Sequence, residues 1–165
     1  SVANSAYAGM ILGYRTIGVN VGHATYSLTT SYVTIDSNMT VRFIAPPSGT
    51  VEVEVQINYN TGTGASALLY FGLSDAASYN RVADEYEQLV FEGARFQTYE
   101  PITHKFIVPG LTAGDTYNYW LGAKISSTTG TPTLQWGGSN DGRYQDFVMK
   151  VTALPKAAAD FAVYG

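Results

Sequence analysis

Few side chains in this sequence could do chemistry. His23 and His104 are the only histidines in 165 residues, and cysteine is absent. The missing thiols exclude a thiolate nucleophile, a disulfide, an iron–sulfur cluster and cysteine-held zinc. His23 sits in a glycine-rich segment, and His104 falls on the apolar register of an alternating run. No metal-ligand spacing joins them, so neither a metal nor a cofactor is expected. His104 reads as a hydrogen-bonded core or semi-buried residue.

The carboxylates form two groups. Glu52 and Glu54, two residues apart on one strand face, put their Cα atoms about 6.5–7 Å apart, within the range glycoside hydrolysis uses. Alternate acidic residues on an outward face are ordinarily just solvated, and that reading is preferred. Asp84, Glu85, Glu87 and Glu92 offer oxygen ligands for a hard cation but lack the tight Asp/Asn/Gly spacing of a dedicated loop. Gly62-x-Gly64 leads into a strand, so no helix N-terminus follows it to receive phosphate. No catalytic residue is nominated.

Aromatic side chains are the unusual resource: 13 tyrosines and two tryptophans, more than a small core can hide. Tyr59, Tyr117 and Tyr119 are core by periodicity. Tyr14, Tyr79, Tyr86, Tyr99, Trp120, Trp136 and Tyr144 are harder to bury together, and Trp120 lies on the polar register of its strand. Exposed tyrosine and tryptophan serve protein interfaces and stacking on sugar rings. Tyr14, Trp120, Trp136 and Tyr144 are the candidates, with interface, intrachain packing and ligand stacking all open.

The elements that must position these residues have a period of two. Val51, Val53, Val55, Ile57 and Tyr59 alternate with Glu52, Glu54, Gln56 and Asn58, which predicts a half-buried antiparallel strand. Further runs alternate over 26–35, 39–44, 65–73, 85–91, 102–108, 116–125, 134–136 and 144–154. They are separated by turns such as Pro46–Pro47–Ser48–Gly49 and Pro109–Gly110. No βαβ crossover can be placed. The prediction is all-β: a two-sheet antiparallel β-sandwich, jelly-roll or immunoglobulin-like, of about eight or nine strands. Residues 1–25 read as an N-terminal arm or edge strand with an assembly or anchoring use, 26–155 as the sandwich domain and 156–165 as a C-terminal tail.

Composition narrows the partners. A net charge of −4 argues against nucleic acid, whose backbone demands a basic footprint. Only 13% of residues are charged, against about 25% in an average chain, so the exterior is largely neutral and polar. No apolar run of membrane-spanning length occurs, and neither a membrane span nor a secretory leader is expected. A first residue of serine suits either a processed product or an excised piece.

Six stretches carry a resemblance. Val108-Pro-Gly-Leu-Thr-Ala-Gly-Asp-Thr-Tyr-Asn-Tyr-Trp-Leu-Gly-Ala-Lys, Leu134-Gln-Trp-Gly-Gly and Asp146-Phe-Val-Met-Lys-Val-Thr-Ala resemble the C-terminal β-sandwich of tailed-bacteriophage minor structural proteins. Tyr32-Val-Thr-Ile-Asp, Val41-Arg-Phe-Ile-Ala-Pro-Pro-Ser-Gly and Val51-Glu-Val-Glu-Val-Gln resemble its opening strands. The resemblance implies a non-enzymatic virion protein of tail-fibre, head-fibre or capsid-decoration type, located on the particle surface and active in host attachment or assembly. It implies a homotrimer, contacts with other virion proteins and a host-surface glycan or receptor, with adhesion in loops Ser74–Arg81, Ser126–Thr133 and Gly137–Arg143. Leu111-Thr-x-Gly-x-x-Tyr117 is also similar to the loop before a late strand in fibronectin type III and immunoglobulin-like domains. There a tyrosine hydroxyl bonds back to the loop, which gives Tyr117 and Leu111 structural roles. The alternatives are a carbohydrate-binding module outside any virion, centred on Trp120 or Trp136, and a sandwich-built glycosidase.

Overall fold

The computed structural model describes residues 7–18, 24–63, 67–92, 96–138 and 144–155. His23, most of the 137–143 loop and the 156–165 tail lie outside the described residues. The described residues form eleven strands: β1 (Ile11–Ile17), β2 (Ala24–Ser27), β3 (Val33–Thr34), β4 (Thr40–Ile44), β5 (Val51–Asn60), β6 (Leu68–Ser74), β7 (Glu87–Glu92), β8 (Tyr99–Val108), β9 (Thr116–Ile125), β10 (Thr133–Trp136) and β11 (Phe147–Ala153). All pairings are antiparallel, in two sheets packed as a sandwich. The count exceeds eight or nine because β1 comes from the glycine-broken segment and the run over 26–35 is divided between β2 and the two-residue β3. Residues 84–86 make a single 3₁₀ turn before β7.

β5 organises the larger sheet. β8 pairs along one side of it. The other side is shared by β11, over Val51–Gln56, and β10, over Asn58–Asn60. β1 then extends the sheet beyond β11, and β2 beyond β10. In the smaller sheet β9 pairs with β6 on one side and with β3 and β4 on the other, and β7 closes the edge.

Alternation decides what lies between the sheets. Val51, Val53, Val55, Ile57 and Tyr59 are fully buried, facing Leu69, Phe71 and Leu73 of β6 and Leu121 and Ile125 of β9. Each buried aliphatic or aromatic side chain contributes roughly 1.5–3 kcal/mol, and this seam holds the molecule together. The outer face of the smaller sheet is closed by its own loop. Tyr79 lies over Gly72 and Gly122, paired glycines where a Cβ would collide with its ring. Its hydroxyl donates to Glu87 (2.8 Å), and its ring stacks on Tyr32. The Ser74–Arg81 loop is thus spent on covering a sheet.

His104 packs edge-on against Phe71 and Phe106, with Nε2 2.7 Å from Gln88 Oε1. With Gln88 offering only an acceptor, Nε2 carries the proton and donates. Burial pushes the imidazole below its ordinary value of 6.5. The unfolded chain therefore binds more protons below pH 6.5, and the contribution of neutral His104 is complete above that value and lost as the pH falls through the folded-state value. Thermal melts should show a falling midpoint on acidification below pH 6.5, and His104→Gln should flatten that part of the profile. An unchanged slope in the variant would assign the acid sensitivity to other groups.

Candidate functional site

Register lines up the outward side chains of the larger sheet in rows. One row reads Ser27, Thr133, Asn60, Tyr99 across β2, β10, β5 and β8. The next reads Thr25, Gln135, Asn58, Pro101. Further along come Thr16, Val148, Gln56, Thr103 and then Tyr14, Lys150, Glu54, Lys105. The face therefore changes from charged to neutral along β5, as its outward residues pass from Glu52 and Glu54 to Gln56, Asn58 and Asn60.

The neutral end is built from amides and hydroxyls beside two tyrosines. Tyr99 is 54% exposed, and its ring stacks on Tyr144 with centroids 6.1 Å apart. Gln97 steadies the edge, its Nε2 donating to Asn60 Oδ1 (3.3 Å) and Tyr99 Oη (3.4 Å). Asn60 Oδ1 also accepts from the Gly62 backbone N–H, which fixes the turn after β5. Gln145 Nε2 donates to Ile57 O and Gln56 Nε2 to Asp146 O. These two bonds bind the segment after Tyr144 across the sheet beside Gln56 and Asn58.

Within this patch the polar groups are not satisfied. Among the described residues, Asn58 Nδ2, Thr133 Oγ1 and Gln135 Oε1 are buried without a hydrogen-bond partner. Asn58 and Gln135 stand directly opposite each other, and Thr133 is opposite Asn60 in the adjoining row. A buried donor or acceptor left unpaired costs roughly 1–3 kcal/mol, so three in neighbouring positions ask for an explanation. Their chemistry is mixed, with one donor, one acceptor and one hydroxyl able to do both. A fourth orphan, Tyr59 Oη, lies on the core side, and burial pushes its phenol up to about 12.

The four aromatic candidates fall in separate places. Tyr144 belongs to the patch. Tyr14, 57% exposed, shares the same face but stands in the charged row, with Lys150 between it and Glu54. Trp120 lies on the outer side of the smaller sheet, half-buried, its indole N–H donating to Ser37 O (3.0 Å). Trp136 points inward and is 6% exposed. Tyr117 Oη accepts from Thr112 N (3.0 Å) while its ring stacks on Phe43, and Leu111 N donates to Gly49 O. Asn58, Thr133 and Gln135 were not singled out from sequence. The available signal was the run of outward residues on β5, which loses its charge after Glu54.

Of the six carboxylates singled out from sequence, Glu52, Glu54, Asp84 and Glu87 are paired. Lys105 Nζ lies 3.7 Å from both Glu52 and Glu54, and Lys150 Nζ 3.8 Å from Glu54. Arg81 pairs with Asp84 and Glu87. Among the described residues no group of three or more histidines and carboxylates is placed to hold a metal. The hydrogen bond of His104 goes to an amide, with no serine or carboxylate in relay. The described residues assemble no catalytic array.

Fold and site together define an antiparallel β-sandwich with a neutral, amide-lined sheet face. No family model matches the chain, and no curated protein matches it. Several solved structures are alike in part, two of them as follows. One is the endo-1,4-beta-D-xylanase 10B of Clostridium thermocellum, its CBM22-1 and GH10 modules complexed with xylohexaose. It is 8% identical with a TM-score of 0.36, over 92% of this chain and 28% of that one. The other is the CBM22-1 xylan-binding domain of Paenibacillus barcinonensis Xyn10C, 11% identical with a TM-score of 0.32, over 92% of this chain and 100% of that one. The chain thus spans little more than a quarter of the first.

These findings correct the resemblance to phage structural proteins, since the two structures are xylanase modules and not virion components. The fibre, decoration, host-attachment, virion-surface and homotrimer expectations fall with it. The physical reason lies in the phrases that carried it. A Pro-Gly turn followed by alternating tyrosines meets the needs of any sandwich strand, so such phrases report architecture and not a biological setting.

Proposed function

We propose that this chain is a non-catalytic carbohydrate-binding module, taking a neutral polysaccharide outside the cell on the neutral end of its larger sheet. The observation that carries the reading is the set of buried, unpartnered groups Asn58 Nδ2, Thr133 Oγ1 and Gln135 Oε1 beside exposed Tyr99. By turning their buried amide tips outward, Asn58 can donate to and Gln135 accept from one sugar hydroxyl, which neither a cation nor an anion can satisfy. Tyr99 supplies an aromatic face for the C–H side of the ring. Among the described residues the nearest lysines are already paired with Glu52 and Glu54, so neither is left uncommitted for an acidic chain.

Calorimetric titration with soluble neutral glycans (xylan, mixed-linkage glucan, mannan) and with polygalacturonate tests it. At least one neutral glycan should bind, and polygalacturonate should not. Tyr99→Ala and the double variant Asn58→Ala/Gln135→Ala should each weaken binding at least about tenfold, which corresponds to about 1.4 kcal/mol, one or two hydrogen bonds. Equal affinity in both variants, or no neutral glycan bound at all, would end the proposal.

A further inference from the structure

A second feature lies at the opposite side of the larger sheet. A cleft of about 460 Å³ opens beside Ile17, the last residue of β1, and Ala24 of β2. That volume lies within the size class of small-molecule sites. Two backbones meet there, because a Cβ on Gly137 would stand 2.8 Å from Gly18 Cα, and only glycines permit the crossing.

The lining is divided by origin. Ile17, Ala24 and Trp136 come from the inward register of the larger sheet and are apolar. Asp36 and Asn38 come from the turn between β3 and β4, and Arg15 reaches them from β1. Arg15 is held in place, its Nε donating to Asn38 O (3.1 Å) and its Nη2 to Asn38 Oδ1 (3.3 Å). Asp36 Oδ1 in turn accepts from Asn38 N (2.7 Å). Among the described residues nothing claims Arg15 Nη1 or the second carboxylate oxygen of Asp36.

We infer that this cleft is a second ligand site, for a single neutral sugar ring. A guanidinium and a carboxylate fixed on one turn suit a ligand that both donates and accepts, which neighbouring hydroxyls do. A net anion would face Asp36 and a net cation would face Arg15, so charged ligands are disfavoured. Trp136 is 6% exposed and offers the rim of its indole, so ring C–H groups meet an edge and not a stacked face. The inference is independent of the sheet-face reading, since Asn58, Thr133, Gln135 and Tyr99, which carry that reading, do not line this cleft.

The test is a titration of the native chain with xylose, glucose and mannose, followed at the indole N–H resonances. A Trp120→Phe variant identifies the Trp136 signal. At least one sugar at tens of millimolar should shift Trp136. Arg15→Ala should weaken that response at least tenfold, as should Asp36→Asn, which keeps the oxygen that caps Asn38. Asn58→Ala/Gln135→Ala, on the other face, should leave it intact. A Trp136 resonance unmoved by all three sugars overturns the inference. So does a response that survives in Asp36→Asn or vanishes with the sheet-face variant.

Discussion

Gly130→Ala is expected to destabilise the fold by roughly 3 kcal/mol and to weaken glycan binding as well. Gly130 has φ +79°, and a Cβ there would run into the Thr63 carbonyl; one on Gly62 would run into the Gly130 carbonyl. The two turns are locked backbone to backbone, with Thr63 N donating to Gly130 O (3.1 Å). Neither neighbour can move aside as a flexible side chain could. The effect travels because Gly130 is followed by Thr131, itself at φ 55°, then by Pro132, whose carbonyl accepts from Leu28 N, and then by β10. A displaced Pro132 shifts Thr133 and Gln135 out of line with Asn60 and Asn58. Gly110→Ala is the control, at φ +73° with nothing within 4 Å of the added carbon, and should show only the dihedral cost of about 1–2 kcal/mol. Urea melts of both variants separate the contributions. Equal midpoints would mean that the backbone contact contributes nothing.

The same long-range contact shows why sequence reading succeeds along strands and fails between them. The alternation over Val51–Tyr59 places its inward side chains in the core, and Glu52, Glu54 and Gln56 are half-buried on the other side. Asn58 and Asn60 continue that polar register yet are buried. Their cover comes from β10 and from the segment after Tyr144, some 75–90 residues away, and no local pattern reports it. Trp136 follows period two from Leu134 into the core, so a large aromatic that looked hard to bury is one the sandwich does bury. Trp120 keeps its polar register, but the Asp36–Asn38 turn takes its N–H. Glycines in the first 25 residues suggest looseness, yet a Cβ on Gly13 would stand 2.7 Å from Arg42 O, and one on Gly18 2.5 Å from Asp146 Oδ1. There glycine marks close approach between a strand and its neighbours.

Asn58→Leu should raise the stability of the chain while removing its affinity for neutral glycan. The Asn58 amide is 6% exposed and its nitrogen is unpartnered, so the folded state carries a desolvation penalty that the unfolded state does not. Leucine has the same branched heavy-atom skeleton as asparagine and buries no polar atom. Replacing an unsatisfied polar group by an apolar one of similar shape should therefore gain roughly 1–3 kcal/mol, seen as a higher urea midpoint at unchanged slope. Binding should fall at least about tenfold, because the donor for a sugar hydroxyl is gone. Structural and functional accounts of Asn58 part here. Were the amide a structural element, held by contacts with its surroundings, the leucine variant would melt earlier than the native chain. A variant that is both more stable and unable to bind would identify the orphaned amide as a strain kept for its ligand, in the manner of binding sites that trade stability for recognition. The double variant Asn58→Leu/Gln135→Leu sharpens the measurement. The two residues are directly opposed, so their effects on stability should couple and exceed the sum of the single changes as two leucines pack across the strands.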